Sequence, residues 1–497
     1  MRIPFPERIK PWHAGTFAFV LCFMELVQGT PPLFVLCVFG YIMMATVAFN
    51  RAGGFYRASG AFVFANASLT LIIGLCTKLF LGESADSNLR DPMTTILVYT
   101  AGMAIILISI FFSRILLPRR AFLDYGYIPE DTRHIAIGCI AIGIVLPTIA
   151  SFLDCAPGTI GSAMNQFQLF APLGLLLSIY DEIKYSGGRC SLNAVTVIGS
   201  AYIYFFGGVL ATSKESLFTP LACYVVVCGA LRFRLRWLNV ASLALFCYLT
   251  FQFMVPYAQV VRNYTRDLPT FQDRLDGARY WLNRLDDVRA EYNVTSADFA
   301  ISHGPHYYSQ DAGIMERFNM VAMDDALINI TDINGTFGYR PIVVAIDNLI
   351  PHILWRNKPE FNFNNLYGHE LGLLSYEDTT TCISFGPSAD AYHIGKWPGV
   401  LLLMPAVLVL LFTMVDSVTG DIRSTPWGLT YTVLFLHSAP ESMLGGCIDE
   451  AILTTGVLIV TVYLARYFLP LLASAFMPER NKSFLLRRAK FLSKSAG

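Results

Sequence analysis

Twelve apolar runs punctuate the chain, at about 12–28, 31–49, 61–82, 93–113, 134–153, 163–181, 193–211, 216–231, 238–256, 397–416, 427–443 and 447–470. A helix needs about 20 mostly apolar residues to cross the hydrocarbon core of a bilayer. The first two runs, the eighth and the eleventh are short or interrupted. Most runs are separated by a few polar residues, which leaves room for a turn and little else. The pattern predicts an all-α, polytopic helical membrane protein of about twelve spans. Span follows span from the start, so no cleavable signal peptide is expected.

Cations orient this arrangement, because short cytoplasmic loops of membrane proteins are enriched in Lys and Arg. Arg2, Arg8 and Lys10 precede the first run. Alternate loops carry Arg51 and Arg57, then Arg114, Arg119, Arg120 and Arg133, then Lys184 and Arg189, then Arg232, Arg234 and Arg236. The tail adds Arg480, Lys482, Arg487, Arg488, Lys490 and Lys494, whereas the intervening loops are nearly bare apart from Arg90 and Lys214. An even span count with both termini cytoplasmic satisfies the bias. Four regions follow: an N-terminal bundle of about nine spans (1–256), a long outer segment (257–396), about three C-terminal spans (397–470) and a basic cytoplasmic tail (471–497). The outer segment holds 11 Lys/Arg against 18 Asp/Glu and is too long for a connector, so it is expected to fold as an extracytoplasmic subdomain.

Composition removes whole classes of function. The 497 residues are 54% apolar and 14% charged, against about 45–50% and about 25% in soluble domains. That excludes a soluble multidomain enzyme and a disordered scaffold. Lys+Arg and Asp+Glu balance at 36 each, so no global field recruits nucleic acid. Most of the eleven cysteines fall inside apolar runs, with no disulfide framework and no CxxC pair. There is no phosphate-cradling glycine loop, which argues against an ATP-driven pump.

Candidate chemistry concentrates in the outer segment and at span ends. Residues 268–291 place Phe271, Leu275, Ala278, Leu282 and Leu285 on one helical stripe, as in an amphipathic helix packed on the membrane domain. Residues 342–355 form a second apolar stretch, broken by Asp347 and Pro351 and too short to span. Trp355, Arg356 and Lys358 follow it, a combination suited to the headgroup level. Five of the eight histidines lie in this segment (His303, His306, His352, His369 and His393). Gly-Pro between His303 and His306 prevents a helical ligand pair, so no metal or other cofactor is expected. Four N-x-S/T triplets, at Asn263, Asn293, Asn329 and Asn334, matter only if the cell glycosylates them. Lys214, Arg262 and Arg266 stand at outer span ends against the orientation bias. They either pair with neighbours such as Glu215 and Asp267 or form a cation cluster for an anionic headgroup.

The stretch Leu349–Gly399 carries a recognisable pattern. It runs Leu-Ile-Pro-His-Ile-Leu-Trp-Arg-Asn-Lys-Pro, then Gly368-His-Glu-Leu-Gly372, then Asp378-Thr-Thr-Thr-Cys, then Pro387-Ser-Ala-Asp-Ala-Tyr-His-Ile-Gly395 and Trp-Pro-Gly399 at the start of a span. It resembles the Wzy-type oligosaccharide repeat-unit polymerases of O-antigen and exopolysaccharide synthesis. Ser213-Lys214-Glu215-Ser216 is similar to the small-polar-cation motif of that family. Arg356 stands where the family usually has proline, Asp390 where glutamate is common and His393 where asparagine is common.

The resemblance implies a GT-C-like membrane core in the bacterial inner membrane, with the 257–396 segment periplasmic. It implies a glycosyltransferase that uses no nucleotide sugar. Such an enzyme moves a growing glycan from undecaprenyl diphosphate onto the next lipid-linked repeat unit, alongside a chain-length regulator and a flippase as possible partners. The diphosphate is a good leaving group, so the main need is charge stabilisation by fixed cations. Lys214, Arg262 and Arg266 are the first candidates, Arg317 and Lys358 the second. The acceptor hydroxyl needs a base, for which Asp390 and His393 are favoured and His352 is held in reserve. An O-antigen ligase shares the donor chemistry and differs in acceptor. A flippase or transporter of lipid-linked oligosaccharides also suits twelve spans, although two related halves are not visible in the sequence.

Overall fold

The computed structural model is helical throughout the described residues, with no strand among them. The structure describes residues 1–125, 127–151, 166–265, 268, 270–302, 304–309, 315, 318–350, 355, 358–359, 361–379 and 381–469, with the backbone alone for 166 and 295–302. The helices are α1 (Pro11–Val27), α2 (Pro32–Ala52), α3 (Ala58–Leu81), α4 (Pro92–Leu116), α5 (Pro129–Ala150), α6 (Phe170–Tyr185), α7 (Ala194–Leu210), α8 (Lys214–Ala230) and α9 (Trp237–Thr265). The long segment adds α10 (Phe271–Leu282), α11 (Leu285–Ser302), α12 (Val321–Asn334), α13 (Arg340–Asn348) and α14 (Phe363–Glu370). The chain finishes with α15 (Pro387–Thr419), α16 (Gly428–Ser438) and α17 (Leu444–Tyr467).

Local chemistry sets these bounds. Proline sits in the first turn of α1, α2 and α4, where its missing N–H is not needed. Side chains of Asp91, Asn193, Ser213 and Thr270 accept the first free amides of α4, α7, α8 and α10. Gly53 and Gly82, at φ 95° and 75°, end α2 and α3 in the left-handed conformation that a side chain disfavours. By length and composition, α2, α3, α4, α5, α9, α15 and α17 are long and apolar enough to cross a membrane, while α1 and α7 are shorter apolar helices. The predicted segments at 163–181, 216–231 and 427–443 fall on α6, α8 and α16, which are shorter still.

Packing divides the molecule into three groups. The main core joins α1–α4, α15 and α17 with α12–α14 of the long segment. A second core joins α6 and α8 with the start of α16. In the third, Val209 and Leu210 of α7 and Tyr257, Val260 and Val261 of α9 pack on α10 and α11. The long segment is therefore split between two cores. The 256/257 boundary lies inside α9, because helical hydrogen bonding runs on through the polar turn Arg262–Thr265 after the apolar run ends. The 396/397 boundary falls on a kink in α15, where Gly395 and Lys396 leave helical geometry. The stripe at 268–291 does face the third core, but as two helices separated at Asn283 and Arg284.

Opposite the long segment, one buried carboxylate ties three elements. Asp416 of α15 accepts Ser59 Oγ at 2.5 Å and Ser59 N at 3.2 Å, and pairs with Arg114 of α4 at 3.1 Å. Arg114 also donates to Ser59 Oγ and to the Ala52 carbonyl that closes α2. Breaking a buried pair by removing one partner costs about 3–5 kcal/mol. Asp416→Ala is expected to lower the melting temperature of the detergent-purified protein clearly, and to do so more than Arg423→Ala, whose partners Asp421 and Glu7 lie at the surface. An unchanged melting temperature for Asp416→Ala removes this staple from the account.

Candidate functional site

The site grows out of α12, where two adjacent carboxylates fasten the long segment to the bundle. Asp325 accepts the amides of Arg90 at 2.6 Å and Asp91 at 3.1 Å and the Thr95 hydroxyl at 2.8 Å, capping the start of α4. Asp324 accepts the Gly386 amide at 2.8 Å, at the start of α15, and the Tyr99 hydroxyl at 2.9 Å. Both acids are buried, and both carboxyls are pushed above the usual carboxylate range by that burial; Asp324 reaches about 7, its hydrogen bonds from Gly386 and Tyr99 opposing the rise.

Further along α12, Thr331 and Asp332 hold the first turns of α15. Thr331 Oγ1 lies 2.8 Å from His393 Nδ1, and Asp332 accepts Tyr392 OH at 2.9 Å. Lys396 sits at the kink with φ 49° and ψ −139°, a strained backbone held by its 2.9 Å ion pair with Asp332. The kink frees the carbonyls of His393 and Ile394, which accept the amides of Phe337 and Gly338 at 2.9 and 3.2 Å.

Asp390 and His393 stand one helical turn apart in α15, and both are fully buried. Asp390 accepts Tyr367 OH at 3.1 Å from α14 and the Leu444 amide at 2.7 Å from the start of α17. It bridges two elements with both oxygens occupied, which suits positioning better than proton abstraction. His393 is wrapped by the rings of Phe337 and Tyr367, and its Nε2 lies 3.2 Å from Glu370 Oε2 without the alignment of a hydrogen bond. Glu370 retains 25% side-chain exposure, and burial of the remainder raises its carboxyl above the ordinary range. Thr331, His393 and Glu370 thus run from the interior to the surface. Sequence reasoning used Gly368-His-Glu-Leu-Gly372 only as a pattern; its Glu370 carried the available signal, whereas Thr331 left none.

The cations occupy another place. Lys214 opens α8, and its Nζ donates to Gln259 Oε1 of α9 at 2.8 Å. Arg262, one turn later on α9, donates to the Thr212 carbonyl at 2.7 Å, so both cations meet the Thr212–Lys214 turn. Lys358 Nζ is bound to the carbonyls of Ile350 at 3.1 Å and Asn348 at 3.4 Å, which closes the end of α13. Arg266, Arg317 and His352 lie outside the described residues. Lys214 and Arg262 belong to the third core's end of the molecule and Asp390 and His393 to the main core. The cleft formed by described residues beside α14 does not include the two cations.

Fold and site together define an all-helical protein with membrane-length helices, a cation-bearing turn and a carboxylate–histidine cluster under a docked segment. Comparison with family models, curated proteins and solved structures finds no match to the chain.

Two outcomes test these roles. Asp390→Leu leaves the buried Tyr367 hydroxyl and Leu444 amide without an acceptor, at about 1–3 kcal/mol each. It is expected to lower thermal stability strongly in a detergent melt, with Asp390→Asn milder because one oxygen remains for Leu444. Equal melting of the two variants contradicts the bridging role. For Asp324, the folded carboxyl, at about 7, lies above its ordinary value of 3.8. The native state then holds a proton that the unfolded chain has released, so this contribution is complete below that ordinary value and is lost as pH rises through the folded value. Melting temperature is expected to fall between pH 4 and pH 7, and Asp324→Asn is expected to flatten that slope.

Proposed function

We propose that the protein is a polymerase that joins undecaprenyl-diphosphate-linked oligosaccharide repeat units on the periplasmic face of a bacterial inner membrane. On this reading the chain crosses the membrane about twelve times in a GT-C-like arrangement, with both termini cytoplasmic. The observation that carries it is the meeting of Lys214 and Arg262 on one turn at the end of α7 and α9, on the side where the orientation bias leaves loops otherwise bare of cations. The Leu349–Gly399 pattern supplies the family context. The grouping of Arg57, Arg114, Arg423 and Arg466 with the opposite helix ends supports the orientation.

In this reaction an acceptor hydroxyl oxygen attacks the anomeric carbon of the donor glycan. The bond from that carbon to the phosphate oxygen breaks, and undecaprenyl diphosphate leaves with the electron pair. Lys214 and Arg262 neutralise the charge that gathers on the leaving diphosphate, with Arg266 a third candidate. Glu370, its carboxylate made more basic by partial burial, is the candidate for the hydroxyl proton, and the step requires α14 and the Lys214–Arg262 turn to close on one anomeric carbon. His393, held by Thr331, backs Glu370, with its Nε2 3.2 Å from that carboxylate. Asp390 holds α14 and α17 in register.

Purified protein mixed with lipid-linked repeat units, without nucleotide, is expected to yield oligomers. Lys214→Ala and Arg262→Ala are expected to remain in the membrane and leave only single repeat units, and Glu370→Gln to slow chain growth by about 10²–10⁴-fold. Normal-length glycan from all three overturns the assignment. Repeat units stranded on the cytoplasmic leaflet in cells point instead to a transporter.

A further inference from the structure

A half-open cleft of about 190 Å³ lies between α13, the segment leading into α14, and the start of α17. Its walls include Phe361, Phe363, Asn348, Asn364, Gly446 and Asp449. The two rings are nearly parallel, with centroids 6.0 Å apart, and Phe361 is steadied by the Arg340 guanidinium 4.3 Å from its centre. Asn364 is fixed by its amide, which donates to the Ile383 carbonyl at 3.0 Å. Asp449 Oδ1 is buried and has no hydrogen-bond partner. A buried acceptor left unsatisfied is costly and uncommon, and it calls for a donor.

We infer that this cleft binds one neutral pyranose ring, the terminal sugar of the acceptor glycan, with its C–H face on the phenyl rings and its hydroxyls on Asn348, Asn364 and Asp449. This rests on the polymerase reading for the identity of the glycan, though the saccharide chemistry stands on the cleft itself. Sugars present apolar C–H faces beside hydroxyls that both donate and accept. Aromatic faces flanked by amides and one carboxylate match that mixture. The cleft is smaller than the about 300–1,000 Å³ of sites for drug-sized ligands, which suits one ring with the rest of the chain outside. A phosphate does not fit the charge: the lining holds Asp449 and no cation, and nearby Lys358 already serves two backbone carbonyls. The diphosphate and the acceptor sugar thus fall to different places, the first to Lys214 and Arg262 and the second here.

The architecture behind the cleft fits the assignment. Asp390 ties both walls at once, α14 through Tyr367 and α17 through Leu444. Glu370, at the far end of α14 from Phe363, belongs to the same rigid wall as the ring platform. Sugar bound against Phe361 and Phe363 is therefore registered to the helix that carries the proposed base.

The test uses the full-length protein in lipid nanodiscs and, as probe, the host's own repeat-unit oligosaccharide released from its lipid carrier by mild acid. Binding is read by saturation-transfer NMR and by titration. Phe361→Ala and Asp449→Asn are each expected to weaken binding about tenfold, equivalent to about 1.4 kcal/mol, while the surface variant Arg423→Ala leaves it unchanged. Asn364→Ala serves as the second variant should Asp449→Asn elute as aggregate. No binding by the wild type, or full binding by the cleft variants, overturns the inference, as does competition by inorganic pyrophosphate at this site. Polymer assembly on lipid-linked substrate is scored separately. Polymer of normal length from variants with full sugar binding removes the cleft and leaves the polymerase reading intact. Cleft-dependent binding without any polymer from wild type keeps the cleft and removes the polymerase.

Discussion

The amides at the start of a helix have no partner within it, and at the ends of closely packed membrane helices water alone does not serve them. This chain answers with carboxylates from elsewhere in sequence. Asp325 takes the amides opening α4, Asp324 the Gly386 amide opening α15, and Asp390 the Leu444 amide opening α17. Each pairing sets a side-chain carboxyl oxygen at the amide end of a helix, where the dipole favours an acceptor. The first two come from α12, so the long segment is fastened to the bundle by the same bonds that finish the bundle's helices. Its second half is consequently part of the main core, and the site forms in the seam between segment and bundle.

The kink in α15 extends the same logic. A helix interrupted at Gly395 and Lys396 exposes carbonyls, and the strand of chain after α12 supplies Phe337 and Gly338 to cover them. Asp332 compensates the strained Lys396 and also receives Tyr392. Removing α12 would therefore take one capping carboxylate from the start of α4, another from the start of α15, and the ion pair from the kink. The His393 ring sits within this lattice, and its orientation follows from contacts on three sides.

The helices were legible in the sequence because apolar runs of membrane length have few alternatives. Their ends were less so. Helical bonding continues past the apolar run in α9 through Arg262 and Thr265, and the stripe at 268–291 is cut at Asn283 because hydrophobic periodicity does not register a turn that keeps the stripe in phase. The polar residues of the site were partly legible. Asp390 and His393 stood out in a short pattern, but their partners lie across the fold: Tyr367 and Glu370 are 23 residues away and Leu444 is 54. No spacing rule connects them, since tertiary packing alone sets the pairing. The doublet Asp324-Asp325 sat in an apolar helix and was a visible sign of buried charge seeking donors. Lys214 and Arg262 were singled out by orientation, and only the packing of α7, α8 and α9 showed that they meet at one turn.

The separation of charge types constrains how any lipid-linked saccharide can engage the protein. Such a molecule is anionic at its carrier end and neutral or weakly polar along its glycan. The cationic turn lies between the end of α7 and the start of α8, beside the end of α9 and the third core, and the carboxylate-bearing cleft lies on the main core, beside α13 and the segment leading into α14. A diphosphate in the cleft meets the Asp449 carboxyl, while nearby Lys358 is bound to two backbone carbonyls, and a sugar at the turn meets the side chains of Lys214 and Arg262. On the proposed reading, the two regions offer different charge to the two ends of a substrate. Two lipid-linked substrates reacting head to tail need such a distinction, because the reaction joins the anomeric end of one glycan to the free end of another. An enzyme whose sites bound either end equally would hold substrates in unreactive pairs. On the proposed reading the different charges of the turn and the cleft supply that distinction, and Asp390, by bridging α14 and α17, sets the wall against which the free end is proposed to lie.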